Sequence, residues 1–283
     1  MTLRIKDAVC DYFRSRIGDR PNVETRTPDV RIFAFLGEVE VIFYVDTSGE
    51  ALFKRGQRAV SSEAPIKENL AAGILRLIGW QPEETLLDPM YNSDTFVLKT
   101  AQITLNIAPG LNRSFGFEKL RGFKPSAWNE IKTEAQAKCE APRGLFIYGS
   151  DLYANSLKLA TANAEHMGLK DVVHFKQVNV LEVSPPVSEG IWITNPPYGV
   201  RIGEQEELAK LYPKLGDTLK QRFAGWRAYF FTADLRLAKL IRLQTSKRIP
   251  LFNGPLECRL FEYRMIAGSA RKQKAEEGNA DQS

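Results

Sequence analysis

The sequence predicts an α/β fold built on a doubly wound, mostly parallel sheet, and three observations carry that prediction. From Thr85 onward, short apolar runs alternate with helical patterns. The run Ile191-Trp192-Ile193 reads as a buried strand, and Pro196-Pro197 stops it, so Asn195 and Tyr198 sit on a stiff turn just past a strand end. In open α/β sheets that is where ligands bind. A hydrophobic share of 43% and a charged share of 26% belong to a soluble globular chain, and 283 residues leave room for one large domain and a small one.

Taken in order, residues 3–17 form an amphipathic helix, with Leu3, Ile5, Val9, Phe13 and Ile17 near helical spacing. Two strands, 30–35 and 39–45, meet at Leu36-Gly37-Glu38; the second alternates Val39, Val41, Phe43 and Val45 as a half-buried strand does. This opening unit is too small to bury a good core alone. A basic connector, Leu52-Phe53-Lys54-Arg55-Gly56-Gln57-Arg58, follows, and Ala64-Pro65 opens a helix. The alternating part then places strands at 85–89, 144–148, 172–178, 190–194 and 226–232, with helices at 94–107, 125–138, 153–167, 205–222 and 234–242. Strands 246–252 and 257–266, joined through Asn253-Gly254-Pro255, close the sheet as an antiparallel hairpin. Residues 269–283 are polar and expected to be disordered.

No apolar run reaches the length of a membrane span, and the Met1–Asp7 start lacks a signal-peptide core, so the expectation is a cytoplasmic protein. Three widely spaced cysteines, Cys10, Cys139 and Cys258, suit reduced thiols, and with His166 and His174 alone no metal site is expected. A net charge of +5 is compatible with a nucleic-acid partner.

The chemistry that suits the Asn195–Tyr198 turn is methylation of an exocyclic amino group on a base. Such an amine is a poor nucleophile because its lone pair is delocalised. An Asn side-chain oxygen and a fixed Pro196 carbonyl can accept hydrogen bonds from it, and a Tyr ring can stack on an extruded base. The plainer reading is an ordinary strand-ending turn. Asn195-Pro196-Pro197-Tyr198 resembles the motif of S-adenosylmethionine-dependent amino-methyltransferases acting on DNA adenine or RNA guanine. Leu87-Asp88-Pro89-Met90 with Ser93 and Thr95-Phe96, Ala64–Leu70, and Asn106–Arg113 further resemble the THUMP-domain RNA guanine-N2 methyltransferases, nearest to those acting on large-subunit ribosomal RNA. The likeness runs from residue 3 to about 268.

That resemblance implies a seven-stranded methyltransferase sheet over residues 64–268, preceded by a partial α+β THUMP-like segment at 1–50 and a linker at 51–63. It implies S-adenosyl-L-methionine as cofactor and ribosomal RNA as partner, with neither membrane nor metal. Asn195, Pro196, Pro197 and Tyr198 take the catalytic positions; Pro65, Asn69, Asp88, Met90, Ser93, Thr95, Asp151 and Asn179 take the cofactor positions. Lys54, Arg55, Arg58, Arg113 and Arg121 are candidate phosphate contacts, each also readable as a solvated surface charge.

The cofactor loop departs from the family's Asp-Pro-Met-Cys-Gly-Ser-Gly-Thr. Tyr91 stands for the Cys, Asn92 and Asp94 for the glycines, and Lys99 for a Glu four residues past the Thr. The glycines permit φ > 0 and close backbone approach, whereas Asp94 brings a side chain and a negative charge to a helix N-terminus. A second reading is therefore a non-catalytic RNA-binding remnant that no longer holds the methyl donor. A third, a DNA adenine methyltransferase, is allowed by Asn-Pro-Pro-Tyr and opposed by the THUMP-like start.

Overall fold

The computed structural model describes residues 2–55, 66–91, 94–141, 145–197 and 204–266. Helix α1 (Thr2–Ile17) and the antiparallel strands β1 (Ile32–Leu36) and β2 (Val41–Val45) form the opening unit. Phe33, Phe35, Phe43 and Tyr44 lie on both faces of this hairpin, each more than half exposed. Arg113 ties the unit's exit to the rest of the chain: its guanidinium donates to the carbonyls of Ser48, Glu50, Ala51 and Lys54 at 2.7–3.2 Å and lies over the Phe115 ring.

The remainder is one seven-stranded sheet. Helix α2 (Glu68–Leu77) precedes β3 (Leu86–Asp88), followed by α3 (Thr95–Thr104), α4 (Pro125–Ala137), β4 (Ile147–Asp151) and α5 (Ala154–His166). Strands β5 (His174–Gln177) and β6 (Ile191–Thr194) come next, then α6 (Glu204–Arg222), β7 (Arg227–Thr232), the short α7 (Leu237–Leu240), β8 (Lys247–Asn253) and β9 (Leu256–Arg264). The order is β5-β4-β3-β6-β7-β9-β8, parallel from β5 to β7; β9 runs antiparallel to both β7 and β8. The expected closing hairpin is therefore present, with β9 inserted beside β7 and β8 at the edge.

Both faces of the central strands are buried, which is why they read as unbroken apolar runs. Trp192, Ala228, Phe230 and Phe261 point to one layer, packed on Tyr212, Leu215 and Leu219 of α6 and on Phe223 just past its end. Ile191, Ile193, Tyr229 and Phe231 point to the other, packed on Ala71, Ile74 and Leu75 of α2. A third cluster joins α3 and α5 over Ile147 of β4.

Two element boundaries differ from expectation in ways that bear on the site. Strand β4 starts at Ile147 and extends to Asp151, so Asp151 is its last residue. Gly149 makes this extension possible, because a Cβ there would lie 2.9 Å from Phe175 and 3.0 Å from Tyr91. The second difference is α2, which begins at Glu68 after an extended Lys67. The expected opening of that helix at Ala64-Pro65 falls outside the described residues.

Candidate active site

The sheet's strand order reverses around β3, with β4 on one side and β6 on the other, and ligands bind at the C-terminal edge of such a switch. Three adjacent strands end there on polar side chains. Asp88 closes β3 and Asp151 closes β4, both buried, while Asn195 follows β6 and is half-buried. Pro196 is buried and Pro197 exposed, so the turn is anchored at its first proline. Tyr198 lies outside the described residues, as do Pro65, Ser93 and Arg58.

Main-chain hydrogen bonds hold this edge together. Met90 N–H donates to Asp88 Oδ1 (3.2 Å), and Tyr91 N–H donates to the Ser150 carbonyl (3.3 Å). The Thr194 hydroxyl reaches the Met90 carbonyl at 3.5 Å, linking the β3 loop to the strand that delivers Asn195. Asp151 Oδ1 accepts from Tyr153 N–H (3.0 Å), and Asn179 Oδ1 accepts from Leu181 N–H (3.0 Å). Both side chains thus shape their own turns.

Burial pushes the Asp88 carboxyl up to about 8, and the neighbouring Asp151 and Asp94 add to it, against the bonds from Met90 and Thr194. The native state therefore binds a proton that the unfolded chain releases above its ordinary pKa of 3.8. The sign follows: Asp88's contribution to stability is complete below about pH 4 and falls steadily as pH rises towards 8. Asp88→Asn should accordingly flatten the fall of Tm between pH 5 and 8, measured by thermal denaturation; an unchanged slope would remove Asp88 as its source.

The departures in the loop settle into the protein interior. The Tyr91 ring packs on Phe175 with centroids 5.2 Å apart and is 2% exposed, so its bulk points beneath the sheet edge. Its hydroxyl has no hydrogen-bond partner among the described residues, and burial raises its pKa, with the three carboxylates adding. Asp94 sits at the N-cap position of α3 with φ 51°, ψ 1°, in the left-handed region a glycine would occupy freely. Its side chain makes no capping bond; Oδ2 accepts instead from Asn163 Nδ2 of α5 at 2.8 Å. Lys99, one turn into α3, is buried and reaches Glu68 of α2 (3.3 Å) and Gln102 (2.5 Å). Asp94–Asn163 and Lys99–Glu68 span 69 and 31 residues, so no local sequence signal announces either.

Among the other named positions, Thr95 is buried, Met90 is half-buried against the α6 layer, and Asn69 is exposed on α2. Arg121 is exposed, Arg55 half-buried, and Lys54 pairs with Glu50 at 3.2 Å. Arg113 is spent on the four carbonyls already described.

The donor set fits a methyl donor of the sulfonium nucleoside type. Adjacent buried acidic groups at the ends of β3 and β4 suit an ammonium group, whose charge favours the ionised form of Asp88, and vicinal ribose hydroxyls, which an apolar edge would not. Tyr91 and Asp94 place their side chains in the α3–α5 packing. Across the switch, the Asn195 carboxamide oxygen is an acceptor for an amine N–H.

Comparison with known proteins bears on the same edge. A model of the RMKL-like methyltransferase domain matches residues 55–262, and a THUMP domain model matches residues 1–46. The ribosomal RNA large subunit methyltransferase K/L of Shewanella sp. (strain W3-18-1) is 40% identical over 279 residues, covering 95% of this chain and 39% of the relative. That of Psychromonas ingrahamii is 41% identical over 273 residues, covering 93% and 36%. The chain thus spans about two fifths of the length of the curated relatives it matches. Among solved structures, SMU.472, named as a methyltransferase and complexed with SAH, aligns at TM-score 0.80 with 31% identity, covering 93% of this chain and 70% of that one. An N6-adenine-specific DNA methylase, so named from Listeria monocytogenes, aligns at 0.79 with 29% identity, covering 92% and 66%.

Proposed function

The chain belongs to the RMKL-like methyltransferase family, and from that premise we propose that it transfers a methyl group from S-adenosyl-L-methionine to the exocyclic N2 of a guanine in large-subunit (23S) ribosomal RNA. The observation that carries this reading is Asn195 on a proline-locked turn at the end of buried β6, across the switch from Asp88. Asp88 and Asp151 would hold the donor's ammonium and ribose, and Met90, Thr95 and Asn179 would add further contacts to it. Bound there, the donor supplies an electrophilic methyl carbon. Asn195 and the Pro196 carbonyl accept from the guanine amine and orient its lone pair, and Tyr198 stacks on the base. Positioning supplies most of the rate, so no general base of shifted pKa is required. The THUMP-like residues 1–50 and the exposed cations Lys54 and Arg121, with Arg55, contact RNA phosphates, in a domain order of 1–50, 51–63 and 64–268.

Calorimetric titration with S-adenosyl-L-methionine tests the reading, run beside Asp94→Gly and an Asn92→Gly, Asp94→Gly double variant. We expect micromolar binding by the natural chain, strengthened about tenfold by Asp94→Gly, because a negative charge leaves the N-terminus of α3. Stability should change by no more than about 1 kcal/mol, since relief of the left-handed strain offsets loss of the Asn163 bond. Silence from the natural chain with binding restored in the variants would replace the enzyme by the RNA-binding remnant. Silence from all three would remove the donor site. A preference for double-stranded DNA over ribosomal RNA in a binding assay would favour the adenine methylase reading.

A further inference from the structure

On the layer that α6 occupies beside β6 and β7, no helix among the described residues covers the far end of the sheet. Residues 178–190, which lead from β5 to β6, contain Pro185-Pro186 and form no helix, so among the described residues no helix covers β4 and β5 on this side. The connection is instead pinned as a turn, with the Asn179 carbonyl accepting from Glu182 and Val183 N–H at 2.8 and 3.1 Å. It forms one wall of a cavity of about 460 Å³ whose floor is the sheet itself. A volume of this order is that of a small-molecule site.

The floor is chemically specific. Parallel register places Tyr148 opposite His174 and Ser150 opposite Lys176, and alternation puts all four side chains on one face. The Tyr148 and His174 rings stack with centroids 5.2 Å apart at 29°. Tyr148 is half-buried, and His174 and Lys176 are exposed. Ser150 is 2% exposed and lines the cavity, and among the described residues its hydroxyl has no hydrogen-bond partner. That oxygen is sealed from solvent, so it lies beneath the floor rather than on it. Glu182 supplies a carboxylate at the opposite wall. The cavity's lining includes neither Asp88, Asp151, Asn179 nor Asn195, but it does include their chain neighbours Leu87, Ser150 and Val178, so it lies on the face of the sheet beside the donor edge.

We propose that this cavity between the Tyr148–His174 stack and the 182–186 wall binds one unpaired nucleotide of the RNA substrate, outside the methylated base. The stacked rings offer a flat surface for a base, Lys176 takes a phosphate, and the Glu182 carboxylate accepts from ribose hydroxyls. Stacking on aromatic rings with cationic phosphate contacts is how single strands are held without strict sequence readout. The proposal rests on the RNA-methyltransferase reading and adds a second grip on the strand.

The test uses the whole chain and a fluorescein-labelled single-stranded RNA of about 12 nucleotides, read by anisotropy, with S-adenosyl-L-methionine titrated in parallel. His174→Ala with Lys176→Ala, both at exposed positions, should weaken RNA binding at least about tenfold, with donor affinity unchanged. A Lys214→Ala, Lys220→Ala control on exposed α6 positions subtracts general charge and should cost no more than about threefold. RNA affinities equal to the control would overturn the cavity's role while leaving the RNA reading intact. Failure of the natural chain to bind RNA would overturn both, with the donor titration reporting separately on the methyltransferase fold. Adenosine 5′-monophosphate binding at the cavity, lost in the variants while RNA binding is not, would reassign it to a free nucleotide and overturn the strand assignment.

Discussion

Asn195→Ala is expected to lower methyl transfer to unmethylated large-subunit ribosomal RNA by about a hundred- to a thousandfold, with donor affinity within about twofold of the natural chain. The reasoning starts from the strand. Ile191, Trp192 and Ile193 are fully buried on alternate faces, and the Thr194 hydroxyl bonds to the Met90 carbonyl, so β6 cannot shift without disturbing both layers. Pro196 is buried and fixes its own φ, which leaves the Asn195 carboxamide on a short, stiff tether. A group held this way need not reorganise when the amine becomes pyramidal, and removing a preorganised hydrogen-bonding group of that kind typically costs about 3–4 kcal/mol. Asn195→Asp retains an acceptor oxygen and should recover about tenfold over alanine. Single-turnover transfer of labelled methyl separates this chemistry from donor binding. A rate within about fivefold of the natural chain would remove Asn195 from the reaction and leave its turn a structural one.

Local features of the sequence gave the sheet, whereas the environment of the donor loop depends on contacts between distant residues. β6 and its stop are local: three apolar residues followed by a proline pair define them. The closing antiparallel hairpin is legible for the same reason, from Asn253-Gly254-Pro255 between two alternating runs. The role of Asp94 was not legible. Its sequence position puts a charge at a helix N-terminus, but its partner Asn163 belongs to α5 and meets it only once α3 and α5 pack side by side. Tyr91 is similar, since the space for its ring exists because residue 149, on the neighbouring strand, has no Cβ. Arg113 shows the same limit from the surface side. A lone arginine in a polar loop suggests a phosphate contact, yet four carbonyls of the incoming chain surround it. The face of β4 and β5 that no described helix covers is legible only in retrospect, from the prolines that keep 178–190 from forming a helix.

Gly216→Ala should destabilise the fold by about 3 kcal/mol, against a gain of about 0.5–1 kcal/mol for Gly73→Ala, although both glycines lie inside helices. By helix propensity alone, alanine should improve both positions by nearly the same amount. Their surroundings set them apart. A Cβ on Gly73 of α2 would meet nothing within 4 Å, whereas one on Gly216 of α6 would fall 1.9 Å from the Ile241 carbonyl oxygen, just past α7. That oxygen belongs to backbone in a buried layer, so α6 and the segment after α7 must move apart to admit a methyl group. Ile241, Leu215, Leu219 and Trp192 share the same cluster, and Trp192 lies three residues before Asn195. The displacement therefore acts through the layer that fixes the turn bearing Asn195. Urea denaturation of both variants gives the stabilities, and methyl transfer measured well below the Gly216→Ala midpoint gives the functional consequence. A Gly216→Ala chain that is as stable as the Gly73→Ala chain would show that α6 can retreat from Ile241 at little cost. Full stability loss with unchanged transfer would show instead that β6 holds Asn195 independently of the helix behind it.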